Sequence, residues 1–298
     1  MSPSRPRVAF TAPPHLPDLH DDWPLVRAAL EGVGVDATAA VWSDPSADWA
    51  SFDLIVANGA WDNIHRVDEF LAWVDARERS GPPVVNAPAT LRWNLDKRYL
   101  RELEEAGVPV VPTTWVEGAD RGAGVETDVA LPAGEVVVKP SISGGGHRTA
   151  RYEAHEHGAA RAHVRDLVDS GRVAMIQPYQ PSVDDEGERA LIFLGGEFSH
   201  AITKDPMIRR GVGPLDNLIG NQVTRPVSAS PAELELGRRA VAAADRVLGP
   251  TTYARVDVVT RTDGAPAVLE LELLDPVLFF VHQPDAATTF AAVLTERL

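Results

Sequence analysis

The sequence predicts a mixed chain, α/β in its first third and α+β beyond, with an open, mostly parallel sheet followed by antiparallel sheet. Before about residue 88, short apolar strands alternate with amphipathic helical segments, the order that builds parallel sheet through crossover helices. Later strand-like segments come in neighbouring pairs, which favours antiparallel pairing. The chain has 298 residues, 44% hydrophobic and 24% charged, enough for two or three lobes with cores of their own.

Arg7–Ala12 (RVAFTA) reads as the first strand. Asp22 is placed to cap a helix over Pro24–Gly32, with proline in the first turn and glycine at the end. Val35–Trp42 and Phe52–Ala57 read as strands. Asn63–Arg79 carries Ile64, Val67, Phe70, Leu71 and Val74 at helical spacing, Gly81 stops it, and Val84–Asn86 returns to strand. A second unit opens near Pro88. It begins with a charged helix, Leu95–Ala106, closed by Gly107. Glu117–Gly134, rich in Gly, Asp and Ala, is expected to hold a short helix or loop. Val136–Lys139 and Ala174–Tyr179 are strands flanking a helix over Glu156–Ser170. Further strands follow at Ala190–Phe193, Glu197–Thr203, Ala254–Val259 and Val268–Leu273, with a long helix over Ala232–Leu248.

Bulk properties remove several function classes. A net charge of −15 repels nucleic acid and anionic membranes. The absence of cysteine removes disulfides, thiolate nucleophiles and Cys-based zinc sites. The N-terminus has no apolar stretch suited to a signal peptide, and no apolar run could span a bilayer, so a cytoplasmic location is expected. No G-x-G-x-x-G follows the first strand, so a dinucleotide fingerprint is not supported, and the lack of G-x-x-x-x-G-K-[ST] excludes a P-loop.

Four features carry chemistry. In VVVKPSISGGGHRTARY a buried strand ends at Lys139 and runs into Ser143-Gly144-Gly145-Gly146. A lysine at a strand end can aim its ammonium at phosphate oxygens, and glycines let backbone N–H groups approach an anion. Taken alone, the glycines fit a hairpin turn equally well. Lys97, in RWNLDK, would sit in the first turn of a helix, where the dipole favours an anion. By itself it reads more readily as a solvated lysine. In AMIQPYQ an apolar strand runs into Gln177, Pro178 and Tyr179, as a hinge passing beside a flat base would. Finally, Asp257 lies in YARVDVV, and Glu270 and Glu272 share one face of VLELELL because residues i and i+2 of a strand point the same way. Acidic side chains on an apolar strand are expensive to bury without a cation, and oxygen donors at this density suit Mg2+ that also touches phosphates. A solvent-facing amphipathic strand is the bland alternative. Arg255 shares the face of Asp257 and can offset its charge or meet substrate.

In this order the features resemble the ATP-grasp superfamily, and its glutathione synthetase-like members in particular. The match runs from Asn94 onward, and Glu270-Leu271-Glu272 with Pro276 is similar to the E-x-N-x-x-x-P pattern, with Glu272 where asparagine is common. The resemblance implies an N-terminal α/β lobe over residues 1–88 and an ATP-grasp domain over 89–298, with a small lid lobe at about 113–181 and a C-terminal antiparallel lobe. It implies that Lys97, Lys139, Ser143, Gly144, Gly145, Gly146, Gln177 and Tyr179 bind ATP. It also implies that Asp257, Glu270 and Glu272 bind Mg2+, with Mn2+ a possible substitute for which Glu272 would matter. A substrate carboxylate would be phosphorylated to an acyl phosphate, then attacked by nitrogen to form a C–N bond, with release of ADP and phosphate.

RWNLDKRYLRELEEAGVPVVPTTWV and LIFLGGEFSHAITK are similar to segments of short single-chain members that close a ring within one amino-acid-like substrate, losing carbon dioxide and ammonia. A two-substrate amino-acid or peptide ligase, and an ATP-binding regulatory module without turnover, are the alternatives. Lys204–Asn221 is expected to be a mobile loop between a strand and a helix. Its start, Lys204, and its arginine pair, Arg209 and Arg210, join Arg255 as candidates for handling the reacting carboxylate. His155, His157 and His163 lack metal-site spacing and read as a solvated helix. Trp49, Trp61, Trp73 and Trp93 read as core or lobe-interface residues, with Trp61 at a strand end that can face a ligand. Homo-oligomerisation is left open.

Overall fold

The computed structural model describes residues 5–118, 129–214 and 222–298. The N-terminal unit contains β1 (Arg7–Ala12), α1 (Trp23–Gly32), β2 (Asp36–Val41), β3 (Leu54–Val56), α2 (Val67–Arg79) and β4 (Val84–Val85). Its strands form a parallel sheet in the order β2-β1-β3-β4. One face packs Ala9 and Ile55 against Trp49, Phe70, Trp73 and Val74, so two of the tryptophans are core residues. The other face joins a core described below.

Asp22 does not cap α1 with its side chain. Its Oδ1 instead accepts from the backbone N–H of Val281, 3.0 Å away and near the far end of the chain. The expected single helix around Lys97 is two: α3 (Pro88–Leu95) and α4 (Tyr99–Glu105). Asp96 has extended backbone, its Oδ1 accepts from the N–H of Arg98 at 3.0 Å, and the N–H of Lys97 donates to Ser141 O at 3.0 Å. A short carboxylate competing for local N–H groups is a known helix breaker. The break turns Lys97 inward and leaves it just ahead of the N-cap of α4, Arg98, instead of inside a first turn.

The middle sheet is antiparallel, order β5-β8-β6-β7, from β5 (Thr114–Val116), β6 (Val136–Pro140), β7 (Ala150–Tyr152) and β8 (Ala174–Pro178). Helix α5 (His157–Asp169) covers one face through Val164, Leu167 and Val168 on Val136, Val138 and Ile176. Lys139 and Gln177 alternate with these residues and face the other way. The short strands β5 and β7 were not expected. Of the Glu117–Gly134 segment, residues 119–128 lie outside the described residues.

After the short helix α6 (Ser182–Glu186), the chain forms β9 (Glu188–Leu194), β10 (Glu197–Lys204), β11 (Thr224–Val227), α7 (Pro231–Leu248), β12 (Tyr253–Thr260), β13 (Pro266–Glu272) and α8 (Asp285–Thr295). The sheet order is β11-β10-β9-β12-β13, antiparallel throughout. Ser230 and Glu233 form a reciprocal capping box at the start of α7. That helix packs Leu236, Ala240 and Val241 on Leu191, Phe193, Val256 and Leu271. Gly237 allows the close approach, because a Cβ there would stand 2.8 Å from the Phe193 ring. The unexpected α8 puts Ala287, Phe290 and Leu294 into one core with Val8 and Phe10 of the parallel sheet and with Ile192 and Ile202 of this one.

Two buried asparagines fasten the C-terminal sheet. Asn86 Nδ2 donates to Tyr253 O (2.9 Å) and Leu273 O (2.6 Å), while its Oδ1 accepts from Thr252 N at 2.6 Å. Asn94 Nδ2 donates to Leu271 O at 2.7 Å, and its Oδ1 accepts from Leu273 N (2.6 Å) and Leu274 N (3.0 Å). Together they fix the end of β13, where Glu270 and Glu272 sit. Asn94→Ala should therefore strand three buried backbone groups and cost about 3 kcal/mol. The expected result is a lower urea midpoint at unchanged slope, and a midpoint equal to that of the parent would show the clamp to be dispensable.

Candidate active site

Strand register gathers the charged residues. Opposed residues in an antiparallel pair share a face, and the pairs here are Lys204↔Glu188, Asp257↔Ala190, Asp257↔Glu270 and Arg255↔Glu272. With i, i+2 alternation, Glu188, Lys204, Arg255, Asp257, Glu270 and Glu272 all lie on the face opposite α7. A β-bulge between Asp257 and Val258 makes this possible. Leu269 is the extra residue, so Val268 points to the apolar core while Glu270, two positions on, points into the cleft.

Asp257 is the buried centre. Arg255 donates to it from Nε to Oδ1 and from Nη2 to Oδ2, both at 2.9 Å, and Lys204 Nζ donates to Oδ2 at 2.7 Å. Burial alone would raise this carboxyl, but Arg255 and then Lys204 outweigh it and hold Asp257 at about 2. Lys204 also meets Glu188 Oε2 at 3.0 Å, and Arg255 Nη2 also binds Glu272 Oε1. Burial pushes Glu272 up to about 8 despite Arg255, with Glu270 and Asp257 adding to the rise. Lys97 Nζ lies 3.1 Å from Glu270 Oε1 and donates to the carbonyl of Ser143. Lys139 is buried beside them. Burial depresses its ammonium, Lys97 adds to that, and Glu270 opposes it.

Ser143-Gly144-Gly145-Gly146 follows Lys139 as expected. Gly145 and Gly146 have φ of 56° and 73°, the left-handed region that glycine adopts without strain. The loop approaches the N-terminal unit: a Cβ on Gly144 would meet Ile64 at 3.7 Å, and the His65 and His147 rings stand 4.7 Å apart. Gln177 turns its side chain onto Thr113 Oγ1 at 2.9 Å. Tyr179 stands under the Arg151 guanidinium at 3.4 Å and donates its hydroxyl to Asp184 at 2.6 Å. Beside this hinge, Tyr179 and Leu269 pack on Val111, Val183, Val259 and Ala267 as an apolar wall.

Several expectations change. Lys204 does not begin a loop. It ends β10 at 6% exposure, within the charged cluster. Strand β11 intervenes before the next helix, and residues 215–221 of the expected loop lie outside the described residues. Arg210 reaches Glu135 at 2.7 Å, beside the middle sheet and not at Asp257, and Arg209 is exposed. A carboxylate already paired with Arg151 draws Arg210 there. His163 is buried, shares a 3.1 Å hydrogen bond with the Tyr152 hydroxyl and is pushed down to about 4 by burial, so it is not a solvated residue. Among the described residues, no three His, Asp or Glu side chains form a ready metal cage. No described helix is long and apolar enough to cross a membrane.

Residues 8–86 match the family model described as the N-terminal domain of D-cycloserine synthetase DcsG. The chain is 36% identical over 284 residues to the cycloserine biosynthesis protein DcsG of Streptomyces lavendulae, spanning 93% of this chain and 94% of that protein. The chain belongs to the DcsG family. A crystal structure of D-cycloserine synthetase DcsG is similar with a TM-score of 0.86 and 32% identity, over 98% of this chain and 99% of that one. The RimK domain ATP-grasp protein of Sphaerobacter thermophilus shares the fold at a TM-score of 0.64 and 21% identity, over 96% of this chain and 98% of that one.

Sequence reasoning missed several residues of this DcsG-family site. Glu188 stands two residues before the expected strand, and extending the alternation Ala190-Ile192 backward by two would have found it. Arg151 lies inside the quoted glycine segment, yet its partners, Glu135 and Asp184, are remote in sequence. Asn86, Asn94 and Thr113 carry no local signal. Lys139→Ala should weaken binding of ATP with Mg2+ roughly tenfold or more, since a buried charge-assisted contact would be lost. Equilibrium titration checks this, and an unchanged Kd would remove Lys139 from the phosphate site.

Proposed function

We propose that this chain is a magnesium-dependent ATP-grasp ligase that turns a substrate carboxylate into an acyl phosphate. Its reaction is then ring closure of O-ureido-D-serine to D-cycloserine. The observation that carries this reading is the meeting of Lys97 and Glu270 at 3.1 Å across the cleft. A phosphate-binding cation and a metal-binding carboxylate, from distant parts of the chain, share one point. Family membership supplies the substrate.

The donor set fits magnesium. Asp257 has both oxygens engaged by cations, whereas hydrogen bonds to Glu272 reach only Oε1 and Lys97 meets Glu270 through Oε1. Two hard carboxylates completed by phosphate oxygens are a usual Mg2+ arrangement, and a cation there would relieve the crowding that raises Glu272. Glu270 and Glu272 are thus the assigned ligands, and Asp257, expected beside them from the resemblance, instead holds Arg255 and Lys204 in place because both its oxygens already accept from them. Mn2+ satisfies the same oxygens. Bound Mg2+ would supply charge neutralisation on the β- and γ-phosphates.

The protein groups do the rest. Lys97 leaves Glu270 and joins Lys139 on phosphate oxygens, and backbone N–H groups of residues 143–146 close over them. The hinge at 177–180 and the apolar wall at Leu269 take the adenine. Arg255 and Lys204 face the carboxylate and stabilise charge as phosphoryl transfer proceeds. The ureido nitrogen bonded to oxygen then attacks the acyl carbon, phosphate leaves, and hydrolysis removes the carbamoyl group as carbon dioxide and ammonia. On this reading the lobes divide at about residue 88, with the lid at about 113–181.

Glu270→Gln should lower turnover at least ~100-fold while leaving Tm within a few degrees, because it removes charge without volume. Near-normal activity at saturating Mg2+ would sink the ligand assignment. Mass spectrometry of wild-type products should show D-cycloserine. A dipeptide would identify a two-substrate ligase instead, and absence of ADP would mark a binding module.

A further inference from the structure

A small recess lies beside the charged face, at the carboxyl ends of the parallel strands. Most of its lining is apolar, Phe10, Pro276 and Leu278 included, and its polar groups are His20, Asp22 and Asn58, with about 20 Å³ free for a water-sized group. A single water needs about 10–15 Å³ measured this way, and a primary ammonium is of similar size.

Asp22 is 4% exposed. Its Oδ1 accepts from Val281 N–H, and the backbone N–H groups of Phe279 and Phe280 also lie near enough to favour the charged carboxyl, but among the described residues no donor meets its buried Oδ2 at hydrogen-bond distance and angle. His20 does not supply one. The N–H of Asp22 donates to His20 Nδ1 at 3.1 Å, which places the ring proton of neutral His20 on Nε2. Nδ1, 3.9 Å from Oδ2, therefore presents a lone pair to the carboxylate. Burial raises the Asp22 carboxyl from its ordinary value. A buried carboxylate oxygen lacking a donor is costly to keep unless something supplies one.

The wall of this recess is also a wall of the reaction site. Pro276 and Leu278 flank Val277, whose carbonyl accepts from Arg255 Nη1 at 3.3 Å. Trp61 lies 5.0 Å from the His20 ring and donates to Asp275 O at 2.9 Å, joining the recess to the segment that follows Glu272. An α-amino acid carries its carboxylate and ammonium on the same carbon. With the carboxylate at Arg255, the ammonium must meet a neighbouring wall.

We propose that Asp22 Oδ2 receives the primary ammonium of an α-amino-acid substrate, making Asp22 a specificity-determining residue. This rests on the ligase reading above. A charge-assisted hydrogen bond to a buried carboxylate discriminates strongly against an analogue without the donor, because the carboxylate is then left unpaired. The des-amino analogue of O-ureido-D-serine, 3-(ureidooxy)propanoate, keeps every other group.

The test is calorimetric, with Mg2+ and a non-hydrolysable ATP analogue bound. Wild-type protein should bind the amino acid at least ~10-fold more tightly than the des-amino acid. Asp22→Asn, which keeps an oxygen for the Val281 N–H, should lose that preference while its ATP-analogue affinity stays unchanged. Asp22→Ser is the second variant should the first not fold. Failure of wild type to prefer the amino acid, including failure to bind it, overturns the proposal and leaves the recess a water site. Retained preference in a folded variant also overturns it. Preference that depends on Asp22 without ADP release in the turnover assay would instead sink the ligase reading and leave this inference standing.

Discussion

A carboxylate removed from water must be matched by cations, and at Asp257 the match is made twice, by Arg255 and by Lys204. Most of the site's geometry depends on this arrangement. Arg255 reaches onward to Glu272 and Lys204 to Glu188, so one buried anion orders side chains from β9, β10, β12 and β13. The sheet can present so much charge on one face because α7 seals the other with apolar packing. Both cations are thereby held in fixed positions by the fold itself.

The middle sheet repeats the device more loosely. Arg151 sits between Glu135 and Asp184, over the Tyr179 ring, and Arg210 reaches Glu135 from the segment beyond β10. An otherwise unremarked loop is thereby tied to the hinge. The glycine loop, for its part, stands against the N-terminal unit through Ile64 and His65. The two sets of contacts thus differ in kind, one ionic and one steric.

What could be read from the sequence was whatever repeats locally. Alternation placed Glu270 with Glu272 and Arg255 with Asp257, and apolar runs located the main strands. Glycine and lysine types marked the loop after β6. Long-range partners stayed hidden. The break at Asp96 that turns Lys97 inward depends on Ser141, and Asp22 looked like a helix cap because Val281 lies 259 residues away. Lys204 read as the start of a loop because its partner Asp257 is 53 residues on. Helix α8 escaped because its alanines and threonines give a weak periodic signal until Phe290 and Leu294 are packed.

The bulge at Leu269 divides β13 into two reading frames. Residues before it alternate in one phase, giving Val268 to the core, and residues after it alternate in the other, giving Glu270 and Glu272 to the cleft. The β12–β13 hairpin turn and the apolar wall near Tyr179 belong to the first frame, while Glu270 and Glu272 belong to the second. Substitutions before the bulge can therefore accumulate without rotating the acids. Loss of a single residue at the bulge would merge the frames and force either Val268 into the cleft or both glutamates against α7.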